Sequence, residues 1–380
     1  MIFDDSEFEI RFGVLIRHMS DANLDGMLLD DSEALHYFTG FDISLTNYRA
    51  LIVKRDGTAT FVLRKLDVAP LVERTWVKNV VGYPDWESAS EAVAHAVRDK
   101  GLGSGRIGIS LQSHALTVDR FNALRTLLPE ADFVDIGDLP FVWRKQKSAA
   151  EIAKLAKASE VADVAIQLIA DSAAIGMTER DAARMAAEAY LRFGADGGFL
   201  GVITSGKDWD FLHGHLHDTP LVDGDILHIE LVPRVDGYSA RLMRCVVMGE
   251  ITDQQHKVAK ALIALQDAQI AALKPGAIAR DVDAIVRDGL LQSGLRTSYD
   301  NVTGYTTGWY SDYSIRGSDF TWIFHPKADW VVEEGMVFHM YASAQGIAFS
   351  ETVVVRPDGG ERLTQIERKL FCTAERKTGQ

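Results

Sequence analysis

The chain has 380 residues, 47% of them hydrophobic and 25% charged, with a formal charge of −14, the profile of a globular protein long enough for two domains. That acidity argues against nucleic acid or an anionic membrane as partner, since both favour basic surfaces. Two cysteines, Cys245 and Cys372, exclude a disulfide framework. No apolar run approaches the roughly 18 residues needed to span a bilayer, and the acidic start MIFDDSEFEIRF lacks a basic-then-apolar leader pattern. A cytoplasmic location is therefore expected.

Helical and strand patterns alternate through the first part. Glu7 to Ala22 places Phe8, Phe12, Leu15, Ile16 and Met19 on one helical face. DGMLLD then reads as a buried strand, and ALIVKRDGTATFVLR as two strands around the hairpin signal Asp56-Gly57. A helix from about Ser88 to Lys100, a strand at RIGIS and a helix from about Thr117 to Leu128 continue the alternation. This order predicts an α/β domain over residues 1–143. Ser148 three residues before Glu151 is a capping box that opens a long helix.

The second part is predicted to run two helices, strands, two helices, strands. Helices from about Ser148 to Ala174 and Thr178 to Phe193 precede a Gly-rich segment, FGADGGFLGVITSG, and a His-rich one, FLHGHLHDTP. From Gly224 to Met248 the sequence reads GDILHIELVPRVDGYSARLMRCVVM, two apolar strand-like runs joined around Asp236-Gly237. Cys245 in the second run reads as a buried structural thiol. Helices from about Asp253 to Leu273, stopped by Pro275-Gly276, and from about Ala279 to Ser293 follow. TGYTTGW, EEGMVFHMYASAQG and FSETVVV complete the chemistry-bearing segments.

Within these segments Glu230 sits in the apolar run LHIELV, where a carboxylate is costly unless paired or used. Arg241, eleven residues on and across the turn, can face it. Glu230 is thus either half of a plain buried pair or a general base and cation clamp. Arg241 itself is a fixed cation with no acceptor atom and would repel a metal. His213, His215 and His217 alternate, so in an extended segment they share a face. They read as loop histidines, a metal site or proton carriers, but no companion ligands stand at metal spacing. Tyr305 and Tyr341 each offer a hydroxyl and a ring that stacks on a flat cation. Trp309 and Tyr310 either complete an aromatic wall or simply pack. Glu351, after Ser350, is a second candidate carboxylate or an exposed residue at the start of a strand.

In order and spacing these segments resemble the pita-bread family of methionine aminopeptidases, Xaa-Pro peptidases and creatinase. The resemblance covers nearly the whole chain, the first 140 residues in pattern only. The segment WRKQKSAAEI resembles the family's domain junction, which implies an α/β N-terminal domain over 1–143 followed by an α+β pita-bread domain over 148–380. The metallopeptidases of that family hold two divalent metals with Asp, Asp, His, Glu and Glu. At those positions this chain has Glu230, Arg241, Tyr305, Tyr341 and Ser350. The pattern is more similar to the metal-free members, ectoine hydrolase first and creatinase next. Ile229-Glu230-Leu231, Gly304-Tyr305-Thr306-Thr307-Gly308, Gly335 to Met340 and Ser350-Glu351 carry that similarity, while Met243 stands where creatinase keeps a Glu.

The resemblance implies a metal-independent hydrolase, without cofactor, acting on a C–N bond of a small zwitterionic amidine or guanidino substrate. Such a carbon is already electrophilic, so carboxylates, tyrosines and a base suffice. Glu230 is expected to activate water and His213 or His215 to protonate the leaving nitrogen. Glu351, Tyr305, Tyr341, Trp309 and Tyr310 are expected around the cation, with Arg241 on the substrate carboxylate. The rival readings are an Xaa-Pro dipeptidase, a lyase acting on a sulfonium compound and a binding protein of this fold that has lost catalysis. Creatinase further implies a homodimer in which the loop with Phe41, Asn47, Tyr48 and Arg49 lies near the partner's pocket.

Overall fold

The computed structural model describes residues 1–42, 47–207, 212–310 and 321–374. The chain divides into two compact units, Met1–Lys145 and Gln146–Tyr310, the latter together with residues 321–374. Among the described residues no helix is long and apolar enough to cross a membrane.

The first unit contains, in chain order, α1 (Asp5–Asp21), β1 (Gly26–Leu29), α2 (Ser32–Thr39), β2 (Ala50–Lys54), β3 (Ala59–Arg64), α3 (Val68–Arg74), β4 (Asn79–Tyr83), α4 (Ala89–Asp99), β5 (Arg106–Ile109), α5 (Val118–Leu127), β6 (Asp132–Asp135) and α6 (Leu139–Trp143). Its strands form one mixed sheet in the order β4-β3-β2-β1-β5-β6. The central runs are continuously apolar because both faces are covered. Met27, Leu29, Leu51, Val53 and Phe61 pack with Phe12, Leu15 and Trp143 on one side. Leu28, Ile52 and Val62 pack with Val93, Val97 and Leu124 on the other. Helix starts follow their local signals, with Ser88 capping α4 and Thr117 capping α5. Helices α2, α3 and α6 and strands β4 and β6 are additions to the predicted order, although α2 is capped by Asp31, whose side chain accepts from the Ala34 N–H at 2.9 Å, and ends at Gly40 with φ of 78°.

Tyr48 and Arg49, expected beside a partner's pocket, are engaged within this unit. The Tyr48 hydroxyl donates to the buried Asp30 carboxylate at 2.8 Å. Arg49 binds the Ser32 hydroxyl at 2.5 Å and pairs with Asp42. Phe41 is likewise buried in the unit's core, and Asn47 is half-buried.

The second unit repeats helix pairs and strands: α7 (Ala149–Ser172), α8 (Glu179–Arg192), β7 (Ile203–Gly206), β8 (Ile226–Leu231), β9 (Arg234–Val235), β10 (Tyr238–Ser239), β11 (Leu242–Val247), α9 (Asp253–Ala272), α10 (Ala279–Gln292), β12 (Gly304–Thr306), β13 (Ile323–Phe324), β14 (Val337–Ala344), β15 (Ile347–Arg356), β16 (Gly359–Arg362) and β17 (Phe371–Cys372). Capping boxes open α7, at Ser148 and Glu151, α8, at Thr178 and Asp181, and α9, at Thr252 and Gln255. The sheet runs β13-β12-β14-β15-β11-β8-β7, with β16 beside β15 and β17 beside β11. One face is covered by helices. Leu227, Ile229, Leu231, Leu242 and Val246 pack with Val161, Ile169 and Ala186 of the first helix pair. Phe338, Met340, Val353 and Val355 pack with Ile270 and Val282 of the second. The alternate positions of the same strands lie on the other face. Glu230, His339, Tyr341 and Ser350 stand there, while Ile226, Cys245 and Val247 farther along β8 and β11 pack in a cluster with Val258, Leu262 and Val286.

Candidate active site

Strand register assembles the site. Met243 of β11 pairs with Glu230 of β8 on one side and with Ser350 of β15 on the other. Ser350 in turn pairs with Tyr341 of β14. Directly opposed residues share a face, so Glu230, Met243, Ser350 and Tyr341 form one row across four strands. Arg241, two residues before Met243, and His339, two before Tyr341, lie on the same face by the period of two. His339 is also opposite Tyr305 of β12. The row is polar and buried, since of its members only Tyr341 is partly exposed.

Two local devices set these strands at the right height. Asp236 and Gly237 turn the chain between β9 and β10 with φ of 50° and 79°, and the Asp196 carboxylate accepts both their N–H groups at 2.8 and 2.5 Å. Lys154 of α7 holds the Asp236 side chain at 2.6 Å. A Cβ on Gly237 would fall 2.0 Å from Trp309 Nε1, so only glycine lets Trp309 seat on this turn. On β12 a Cβ on Gly304 would lie 2.5 Å from Met340 Sδ. The close approach of β12 and β14, and so of Tyr305 and His339, depends on that missing carbon.

The β8 end of the row is an ion pair. Arg241 Nη1 donates to Glu230 Oε1 at 3.2 Å, with both side chains buried. The guanidinium lies 5.2 Å from the Tyr305 ring centroid and 5.8 Å from that of Tyr310, within cation–π range. Thr352 fixes the Arg241 backbone by accepting its N–H at 2.8 Å and donating to its carbonyl at 3.0 Å. Tyr305, His339 and Tyr341 form an aromatic cluster. Tyr305 meets His339 edge-on at 5.0 Å, and His339 stacks on Tyr341 at 5.2 Å and 23°.

Burial, reinforced by the Arg241 charge, drives the His339 imidazole well below its usual range, so it stays neutral at any physiological pH. Burial first, and Glu230 among lesser causes, raises the Tyr341 phenol to about 12, so it stays a donor. Asn301 Nδ2 donates to the Tyr341 hydroxyl at 3.3 Å. His228, two residues before Glu230 and on its face, is lowered to about 3 by burial and then by His213.

Several expected residues come together and others do not. The structure brings Glu230, Arg241, Tyr305 and Tyr341 together on one face. Arg241, expected on a substrate carboxylate, is engaged by Glu230. Tyr310 is almost wholly buried beneath Arg241, and its hydroxyl donates to the Thr306 carbonyl at 2.7 Å. Trp309 is packed against the Gly237 turn, bridging to Tyr238. His213 and His215 lie on an exposed segment. His213 is close enough to His228 to perturb it, whereas His215 meets His217 at 5.2 Å and His217 is anchored to Glu179 at 3.1 Å.

Glu351 is the clear correction. It follows Ser350 on a strand, so it points to the helix-covered side. There it is 0% exposed, accepts from Arg244 at 2.8 Å and from the Thr364 hydroxyl, and has Arg362 and Arg368 at 3.6 and 3.8 Å. It is the hub of a buried cationic cluster, away from the row. His228, His339 and Asn301 were not singled out from sequence. The period of two from Glu230 and Tyr341 was the available signal for both histidines.

A divalent-metal site needs several carboxylate or imidazole donors converging without a cation among them. Among the described residues no three His, Cys, Asp or Glu side chains form such a group, and the row's carboxylate is ion-paired to Arg241. The residues present do not fit a metal pair.

The architecture defines a creatinase-type N-terminal domain joined to a pita-bread catalytic domain. Residues 153–357 match Metallopeptidase family M24 and residues 11–146 match the Creatinase/Prolidase N-terminal domain. The chain belongs to that family. It is 26% identical to an Xaa-Pro dipeptidase of Lactobacillus helveticus, covering 93% of this chain and 96% of that one. It is 24% identical to a creatinase of Bacillus sp., covering 96% and 92%. The crystal structure of a prolidase from Pyrococcus horikoshii superposes with a TM-score of 0.81 at 21% identity, over 95% of this chain and 99% of that one.

Proposed function

We propose that this protein is a metal-independent hydrolase that cleaves a C–N bond in a small zwitterionic amidine or guanidino compound, of the type ectoine hydrolase and creatinase represent. The observation that carries this reading is the buried Glu230–Arg241 pair at 3.2 Å, a guanidinium standing where the resemblance calls for a metal ligand. A net-neutral row with a carboxylate at one end suits a ligand that carries both charges. An amidinium carbon needs no Lewis acid, because it already carries positive charge. Water adds to that carbon as its proton passes to Glu230, the C–N bond breaks, and the leaving nitrogen takes a proton from the histidine. His213 is the better proton carrier because of its interaction with His228, which lies on the Glu230 face. Tyr305 and Tyr341 flank the cation, and Arg241 orients Glu230. Glu351 has no part in this scheme.

A second reading, an Xaa-Pro dipeptidase-like peptidase, is favoured by the names of the relatives; the donor set favours the first. One experiment separates them. The purified protein is assayed for bound metal by elemental analysis and for turnover of a tetrahydropyrimidine carboxylate, creatine and glycyl-proline, each with and without chelator. The first reading expects no stoichiometric metal and chelator-resistant hydrolysis of an amidine or guanidino substrate. One or two tightly bound Mn, Co, Fe or Zn ions per chain with metal-dependent dipeptide cleavage would establish the second.

A further inference from the structure

We propose that His339 and Ser350 form the subsite for the substrate's carboxylate, each donating a hydrogen bond to it. The inference rests on the polar row being the substrate site and adds residues to which neither the resemblance nor the expected roles had assigned a contact. Both side chains are 0% exposed. Among the described residues, neither ring nitrogen of His339 and not the Ser350 hydroxyl has a hydrogen-bond partner. Buried polar atoms are otherwise almost always paired, and each one left unmade costs about 1–3 kcal/mol. Three such atoms on one face mark a place shaped for a polar ligand.

The surroundings select its charge. A neutral imidazole carries one N–H donor, and a serine hydroxyl carries another. Burial and Arg241 keep the ring neutral, and the stacked Tyr341 phenol stays protonated. The Arg241 cation lies on the same face and Glu230 beyond it. Donors beside a cation favour an anion, and hydrogen bonds from neutral donors to a carboxylate are among the stronger ones. The substrate's cationic part is then left to Glu230 and to the Tyr305 and Tyr341 rings. This arrangement supplies the carboxylate contact that Arg241, held by Glu230, was expected to provide.

The test uses His339→Phe, which keeps a ring against Tyr305 and Tyr341, and Ser350→Ala, both in the full chain. Without ligand both variants are expected to melt at or above wild type, because only unmade hydrogen-bonding groups are lost. Calorimetry with the tetrahydropyrimidine carboxylate, creatine and glycyl-proline is expected to show about 10-fold or greater weakening, with binding of the corresponding carboxamides unchanged. Melting lowered by more than about 5 °C in both variants, or unchanged affinity for the carboxylates, overturns the proposal. Acetate serves as a minimal carboxylate that does not depend on the substrate reading. It should raise the wild-type melting temperature over chloride at equal ionic strength and leave His339→Phe unmoved. If wild type binds none of the three larger probes, the proposed substrate class fails. The carboxylate subsite then stands on a wild-type response to acetate that His339→Phe lacks, and falls if the two respond alike.

Discussion

Glu351→Ala offers the sharpest separation of scaffold from chemistry. The carboxylate and its partner Arg244 are both 0% exposed and joined at 2.8 Å. Arg244 also donates to the carbonyls of Met243, Ser350, Ile366 and Glu367, so its position is fixed and it cannot turn to water. Removing the carboxylate takes away that cation's hydrogen-bonded counter-charge and leaves Asp163, which interacts with it without a direct ion pair, while Arg362 and Arg368 stand nearby and repel it. Breaking one partner of a buried pair costs about 3–5 kcal/mol, and three guanidinium groups around the gap point to the upper part of that range. At about 2–4 °C per kcal/mol for a unit of this size, the melting temperature should fall by about 6–20 °C. Circular dichroism melts at neutral pH measure the fall, and turnover per folded molecule is read below the transition. A fall under about 2 °C would refute the structural role. So would an intact fold with turnover lost by about 100-fold, which would return Glu351 to the reaction.

Glu230→Gln should fold and lose turnover by about 100-fold or more, since an amide cannot accept the proton; wild-type turnover places the base elsewhere, and failure to fold makes the pair with Arg241 structural. Tyr305→Phe keeps the ring over Arg241 and should cost less than Glu230→Gln in the same assay. Burial raises the Asp30 carboxyl from 3.8 to about 6, so the folded state holds its proton more tightly than the unfolded state. The resulting stabilisation is full below about pH 4 and is lost as pH rises through about 6. Asp30→Asn, always neutral and still an acceptor for Tyr48, should therefore gain about 1–3 kcal/mol on wild type between about pH 4 and pH 7.5, and parallel denaturation curves would contradict this. Sedimentation should find a homodimer, as the resemblance to creatinase implies, and a fully active monomer would refute it.

Features with a local cause were legible in the sequence. Ser148–Glu151 is a capping box because the donor and acceptor lie three residues apart, and Thr178 is the N-cap where α8 was expected to open. Asp56-Gly57 and Asp236-Gly237 turn because both glycines adopt positive φ. The helix–strand order and the α/β class of the first domain followed from periodicity, and the pita-bread class of the second from the resemblance. Strands β4 and β6 were not legible, because partners far along the chain make them worth forming, whereas the Asp31 cap and the Gly40 stop of α2 were local signals that went unread.

The site divides along the same line. Which residues carry chemistry, Glu230, Arg241, Tyr305 and Tyr341 among them, was readable from type, apolar context and resemblance. The period of two also dictated that Ser350 and Glu351 point to opposite faces and that His339 and Tyr341 share one. Only the tertiary structure decided which face is covered by α7–α10 and which carries the polar row, since periodicity has no sign. Register across four strands then placed Glu230 against Arg241 and Glu351 against Arg244. Those pairings join residues 11 and 107 positions apart, and the second is set by sheet hydrogen bonding that no local pattern encodes.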